Sequence, residues 1–195
     1  MHLPASTSRR RFLQTASASL FAAPYITTGL RAASPNGKLR HAAFGAAGMS
    51  WSDITSMANH DMWELTAVCD VDTRNFARVK EKWPNVKCYQ DWRELLEKEA
   101  GNIDSVNVST PDHMHFPAAM ACVAAGKHVL TEKPISMRAA EIDQLIAARD
   151  KSGLLVAEAY MIVHHPQWIR ARELVQGGAI GKLKHVDAFF SYNNE

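Results

Sequence analysis

From Leu39 onward, short apolar runs alternate with segments of helical character, and that alternation leaves the chain few architectures. The runs are Leu39–Phe44, Leu65–Cys69, Val86–Tyr89, Ile103–Val108, His128–Leu130 and Leu154–Ala157. Several are apolar on both faces, as strands of a covered parallel sheet must be. Asp91 is placed to cap a helix, with Glu94 at the capping-box position. Another helix is predicted from about Arg138 to Ser152, with Ile142, Leu145 and Ile146 on one face and Gly153 as its terminator. Strand and helix in strict alternation predict an α/β fold, a Rossmann-type doubly wound parallel sheet.

The first 40 residues differ in kind from the rest. They contain no Asp or Glu, while Arg9, Arg10, Arg11 and Arg31 all precede Lys38. Setting those four arginines aside leaves 18 basic against 20 acidic residues. The formal charge of +2 is therefore a property of the leader, and the remainder carries no nucleic-acid footprint. Arg9-Arg10 with Phe12 and Leu13, followed by the Ala-rich run Leu13–Ala23, has the form of a twin-arginine export signal. The run is too short to span a bilayer comfortably. The expected partner is the twin-arginine translocase and the expected location periplasmic, with a membrane tether if the signal stays uncut. Cys69, Cys88 and Cys122 fit no metal-ligand spacing and read as small buried hydrophobes; a Cys69–Cys88 disulfide is the oxidised alternative.

The first strand runs directly into Gly45-Ala46-Ala47-Gly48-Met49-Ser50, with a helix predicted from about Trp51 to Asn59. Against G-x-G-x-x-G, Gly45 holds the first position, Ala47 the second and Ser50 the third, with Gly48 and Met49 between them. Backbone N–H groups at such a helix start can hold a pyrophosphate. A methyl at Ala47 pushes that group outward, and Ser50 is expected to loosen helix–strand packing. Asp70 closes the second strand, where a carboxylate can accept hydrogen bonds from adenosine ribose hydroxyls. The alternative is that Asp70 merely caps the next helix. A carboxylate there repels a 2′-phosphate, so the expected cofactor is NAD, with NADP left open. Arg74 could pack on adenine or offset that repulsion.

Two later motifs are more specific. Val108-Ser109-Thr110-Pro111-Asp112-His113-Met114-His115 follows the fourth strand, and Thr131-Glu132-Lys133-Pro134 follows the fifth. With the glycine loop and Asp70, they resemble the glucose-fructose oxidoreductase and inositol dehydrogenase family, often written Gfo/Idh/MocA. The resemblance runs from about Lys38 to the end of the chain. It implies hydride transfer between a sugar or polyol hydroxyl and NAD(P), with Lys133 as the catalytic residue beside nicotinamide and substrate. A cation there can orient the reacting hydroxyl and lower its pKa. Thr110, Pro111, His115 and Glu132 are implied to shape the cofactor site, with His115 opening a helix that faces the cofactor.

The resulting division is a signal and linker over residues 1–37, an NAD(P)-binding Rossmann domain over 38–160, and a connecting helix and first strand over 161–195. The helix is predicted from about Pro166 to Gln176, with Trp168 and Arg172 as candidates to reach the cofactor, and the strand from Lys182 to Tyr192. The resemblance implies a second α/β domain beyond that strand, supplying the substrate pocket and any homo-oligomer contact. The chain alone is then expected to be inactive, and a non-catalytic nucleotide-binding protein is the competing reading. No Tyr is followed four residues later by Lys: Tyr25, Tyr89 and Tyr160 are followed by Gly29, Arg93 and His164. That argues against a short-chain dehydrogenase. A methyltransferase has no use for Glu132-Lys133-Pro134. His113, His115, His164 and His165 lack the third ligand that a zinc site needs, so no metal is expected.

Overall fold

Six strands form one wholly parallel sheet in the order β3-β2-β1-β4-β5-β6. They are β1 (Leu39–Phe44), β2 (Trp63–Cys69), β3 (Lys87–Tyr89), β4 (Ser105–Val108), β5 (His128–Glu132) and β6 (Val156–Ala159). The computed structural model describes residues 37–191, so the twin-arginine leader lies outside the described residues. The direction of winding reverses between β1 and β4, and a doubly wound sheet binds its ligand at such a switch point. Ala42, Ala43 and Phe44 of β1 and all four residues of β4 are buried; β1 meets this with an apolar run, whereas β4 buries Ser105 and Asn107 alongside its valines. β5 extends past the predicted Leu130, and its last residue, Glu132, pairs with Ala159 of β6.

Successive strand residues serve opposite layers, except that β2 shifts register between Leu65 and Ala67 and changes phase there. Ala43, Leu65 and Val68 pack with Ile54 of α1 (Gly48–Met57) and Val79 of α2 (Asn75–Lys82). Ala42, Phe44, Ala67 and Cys69 join the other layer, built from α3 (Trp92–Glu99), α4 (His115–Ala124) and α5 (Ala139–Ser152). Ile54 and Leu95 are wholly buried, each contributing about 1.5–3 kcal/mol of apolar burial. Cys69 and Cys88 belong to opposite layers. A bridge between them would have to cross the sheet, and all three cysteines are free. Burial pushes the Cys69 thiol up to about 12, which leaves it no thiolate at neutral pH.

Local signals behave largely as their chemistry dictates. The Asp91 side chain caps α3 by accepting from Arg93 N at 2.8 Å. Glu94 is drawn to Lys98 Nζ at 2.6 Å instead of closing a capping box. Gly153, at φ +70, ends α5 in the left-handed conformation. On that helix only Leu145 is buried, with Ala148 beside it, while Ile142 and Ile146 are exposed; the inward stripe is narrower than the apolar pattern suggested. α6 (Pro166–Gln176) forms as predicted, and none of its residues is buried, Trp168 and Arg172 included. The strand expected over Lys182–Tyr192 does not form among residues 182–191. A strand exists only as a rung of a ladder, and this segment pairs with none of the six strands.

His41 of β1 lies inside the sheet, with Nδ1 2.7 Å from Ser105 Oγ and Nε2 3.0 Å from Asn107 Oδ1. Burial lowers its pKa from 6.5 to about 4, against a smaller raising effect from Asn107. The unfolded chain therefore takes up this proton at a higher pH than the folded one. The contribution of His41 to stability is complete above pH 6.5 and is lost as pH falls from 6.5 through about 4. The loss should reach about 3 kcal/mol. Urea unfolding at pH 7.5 and pH 4.5 measures it, and His41→Gln should flatten the profile over that window. A variant profile that still falls as steeply would assign the acid sensitivity elsewhere.

Candidate functional site

The loop between β1 and α1 is tied to both neighbouring strands. Gly45 N donates to Cys69 O at 2.7 Å, and Ser109 N donates to Phe44 O at 2.9 Å. Gly45 has φ +108, and a Cβ there would lie 2.7 Å from Ser109 O and 2.9 Å from Ser50 Cβ. No other residue fits without moving backbone. Ser50 is fully buried, and its hydroxyl donates to Gly45 O at 2.6 Å. The expectation of looser packing at Ser50 is thus corrected: the hydroxyl pins the turn.

α1 begins at Gly48, three residues earlier than predicted. Its N-cap, Ala47, is extended and makes no side-chain cap, and the first turn holds no acid. A Cβ on Gly48, at φ +53, would meet nothing within 4 Å, and Met49 is half exposed. A helix start without a side-chain cap and open in front offers the N–H groups of Gly48 and Met49 to an anion.

Asp70 stands one residue past β2, and its carboxylate is fixed from three sides. Oδ2 accepts from Ala46 N at 2.8 Å and from Asn75 Nδ2 at 3.1 Å, and Oδ1 accepts from Asp72 N at 2.9 Å. The helix-cap alternative fails, because the N-cap of α2 is Arg74, with no side-chain cap. A carboxylate offers about four acceptor positions, so Oδ1 keeps room for a hydroxyl. Arg74 is 89% exposed and engaged with Asp72.

Beyond β4, the Thr110 hydroxyl is buried without a hydrogen-bond partner, and Pro111 is exposed. His115 is only 1% exposed, so it does not face an open cofactor site as expected. Its Nε2 lies 2.7 Å from Thr110 O and its Nδ1 2.7 Å from Pro134 O. The ring thereby holds the loops after β4 and β5 together. A carbonyl only accepts, so each contact is a hydrogen bond only when that nitrogen carries a proton.

β5 ends on Glu132, 8% exposed, whose Oε2 accepts at 3.2 Å from the N of Lys133, the first residue of the following loop. Lys133 precedes Pro134 across a cis peptide bond. Its side chain is exposed, and no described residue offers Nζ a hydrogen bond or ion pair. Gly45, Ala47, Gly48, Met49, Asp70, Thr110, Pro111, Glu132 and Lys133 thus all lie at or just beyond the carboxyl ends of β1, β2, β4 and β5. The sequence reading missed the polar thread behind them. Asn107 Nδ2 donates to Ser109 Oγ at 3.0 Å, and Ser109 Oγ donates to Asp53 Oδ2 at 2.7 Å. Its signal was the Ser-Val-Asn-Val of β4, polar at every second residue yet buried throughout. Among the described residues no group of three or more His, Cys, Asp or Glu side chains could hold a metal ion.

A parallel sheet of this order, with an open helix start after β1 and a fixed carboxylate after β2, defines a dinucleotide-binding Rossmann domain. Residues 39–160 match the Gfo/Idh/MocA oxidoreductase family, NAD-binding Rossmann fold, and the chain belongs to that family. It is 39% identical over 128 residues to a dTDP-3,4-didehydro-2,6-dideoxy-alpha-D-glucose 3-reductase of Streptomyces violaceoruber, covering 66% of this chain and 36% of that protein. It is 32% identical over 118 residues to a myo-inositol 2-dehydrogenase of Thermotoga maritima, covering 60% and 35%. Among solved structures, it is similar to a 3-ketoreductase from Actinomadura kijaniata in complex with NADP and TDP-benzene. That likeness has a TM-score of 0.66 and 27% identity, covering 75% of this chain and 44% of that one. The chain spans less than half the length of each of these relatives.

Proposed function

We propose that this chain is the cofactor-binding part of an enzyme that transfers hydride between NAD and a hydroxyl-bearing carbon of a sugar or polyol. The observation that carries the reading is the pairing of the open α1 start with Asp70, whose carboxylate is locked to the same loop through Ala46 N. Gly48 and Met49 would hold the pyrophosphate through their N–H groups, with Ala47 exposed beside it. Oδ1 of Asp70 would take a ribose hydroxyl. Thr110, Pro111 and Glu132 would line the nicotinamide end, and His115 would keep those loops in register. The bound nicotinamide supplies the hydride acceptor or donor. The Lys133 ammonium, with no partner among the described residues, would hold the substrate hydroxyl and assist removal of its proton. That the similar reductase and dehydrogenase act on a deoxysugar nucleotide and an inositol supports a hydroxyl-bearing substrate.

NAD should bind more tightly than NADP, because a 2′-phosphate would meet the Asp70 carboxylate. Calorimetric titration of the chain with each coenzyme decides this. Asp70→Ser should narrow the gap roughly tenfold, the scale of one removed charge repulsion. Equal or tighter NADP binding by the unaltered chain would sink the assignment.

Export through the twin-arginine route belongs to the same proposal, on the strength of Arg9-Arg10-Arg11-Phe12-Leu13. That route moves folded proteins, which suits an enzyme that acquires its coenzyme before crossing the membrane. Residues 1–40 fused to a reporter that folds before export test it. Replacing Arg9 and Arg10 by Lys should stop export; unchanged export would mean that the leader is something else.

A further inference from the structure

We propose that Asp72 sets coenzyme choice without touching the coenzyme, by holding the Arg74 guanidinium away from the 2′-position of the adenosine ribose. The inference rests on the reading that Asp70 receives that ribose. Asp70, Asp72 and Arg74 form one hydrogen-bonded turn between β2 and α2. Asp72 N donates to Asp70 Oδ1 at 2.9 Å, and Arg74 N donates to Asp72 Oδ1 at 3.0 Å. The side chains then pair as a fork. Arg74 Nε lies 2.8 Å from Asp72 Oδ1 and 3.0 Å from Oδ2, and Nη2 lies 2.6 Å from Oδ2.

Those donors form the bidentate edge that an arginine presents to a phosphate. An arginine near the ribose acid is also what accommodates a 2′-phosphate in this class of fold. Here the edge is already occupied by a carboxylate of the same turn. Hydrogen bonds from the Arg74 side chain and backbone hold the Asp72 carboxyl down at about 2. The pair therefore stays charged at any pH at which a coenzyme would be used. Arg74 is 89% exposed and Asp72 34%, and solvent-exposed ion pairs are worth little. The lock is therefore a light one, expressed as a modest ratio and not as absolute exclusion. Opening it acts twice in one direction, since it frees a cation for the 2′-phosphate and removes a second negative charge beside Asp70.

The test is calorimetric titration of the full chain with NAD and with NADP, for the wild type, Asp72→Asn, Arg74→Ala and the double variant. Asn keeps a side-chain oxygen for Arg74 N, so the turn is retained. Asp72→Asn should shift the affinity ratio about 3- to 10-fold towards NADP, the range set by an exposed ion pair plus one charge. Adding Arg74→Ala should remove most of that shift. An unchanged ratio in Asp72→Asn overturns the lock, and so does a shift that survives undiminished without Arg74. Asp70→Ser run alongside separates the two levels. A chain that responds to Asp70→Ser but not to Asp72→Asn loses only the lock. A chain indifferent to Asp70→Ser loses the ribose assignment and the lock together.

Discussion

Gly45→Ala is expected to destabilise the chain by about 2–5 kcal/mol and to abolish measurable NAD binding. Two costs add. The backbone at φ +108 is strained for any residue with a Cβ, and the new methyl would sit 2.7 Å from Ser109 O, a backbone atom that cannot swing aside. Ser109 N is bonded to Phe44 O, so relief of the clash must part the β1 and β4 loops. Marginal stability of about 5–15 kcal/mol makes this a large fraction of the total. Gly48→Ala is the control. Its φ of +53 is also left-handed, but a Cβ there meets nothing within 4 Å, so the cost should be about 1 kcal/mol. Urea unfolding of the two variants should separate them clearly. Equal midpoints would mean that the loop does not need a glycine at its first position.

Lys133→Ala should do the opposite, leaving the fold alone and removing chemistry. The side chain is exposed and its Nζ has no partner among the described residues, so truncation should change stability by less than about 0.5 kcal/mol. In a protein of the relatives' length, turnover should fall by about 10²-fold or more, the scale of a lost acid–base group. Binding at the adenosine end, more than a strand away at β2, should persist. A parent enzyme that turns over normally with Lys133→Ala would place the proton chemistry elsewhere.

The fold was legible because short, largely apolar segments such as Ala42–Phe44, whose residues pack into both layers, alternate with helical ones, while Gly153 and Asp91 mark helix ends by chemistry that acts within a few residues. What escaped depends on contacts distant in sequence. Ser50 read as a defect in the glycine pattern, yet its hydroxyl bonds to Gly45 O once the turn has closed. His115 read as a cofactor neighbour through the family resemblance, but its ring bridges the carbonyls of Thr110 and Pro134, 24 residues apart on separate loops. Ile142 and Ile146 matched a helical period, and only packing decides that Leu145 alone turns inward. The segment from Lys182 had the composition of a strand, but composition supplies no ladder partner. At the site, Asp70 and the glycine loop could be found because each needs one residue type at one place. The bond from Ala46 N that joins them is visible only in three dimensions.

The most direct measurement is a calorimetric titration of the purified chain with NAD, with circular dichroism on the same sample to establish that it is folded. Saturable binding of one NAD per chain is predicted, competed by NADH and weaker for NADP. A folded chain that takes up no NAD would contradict the central claim.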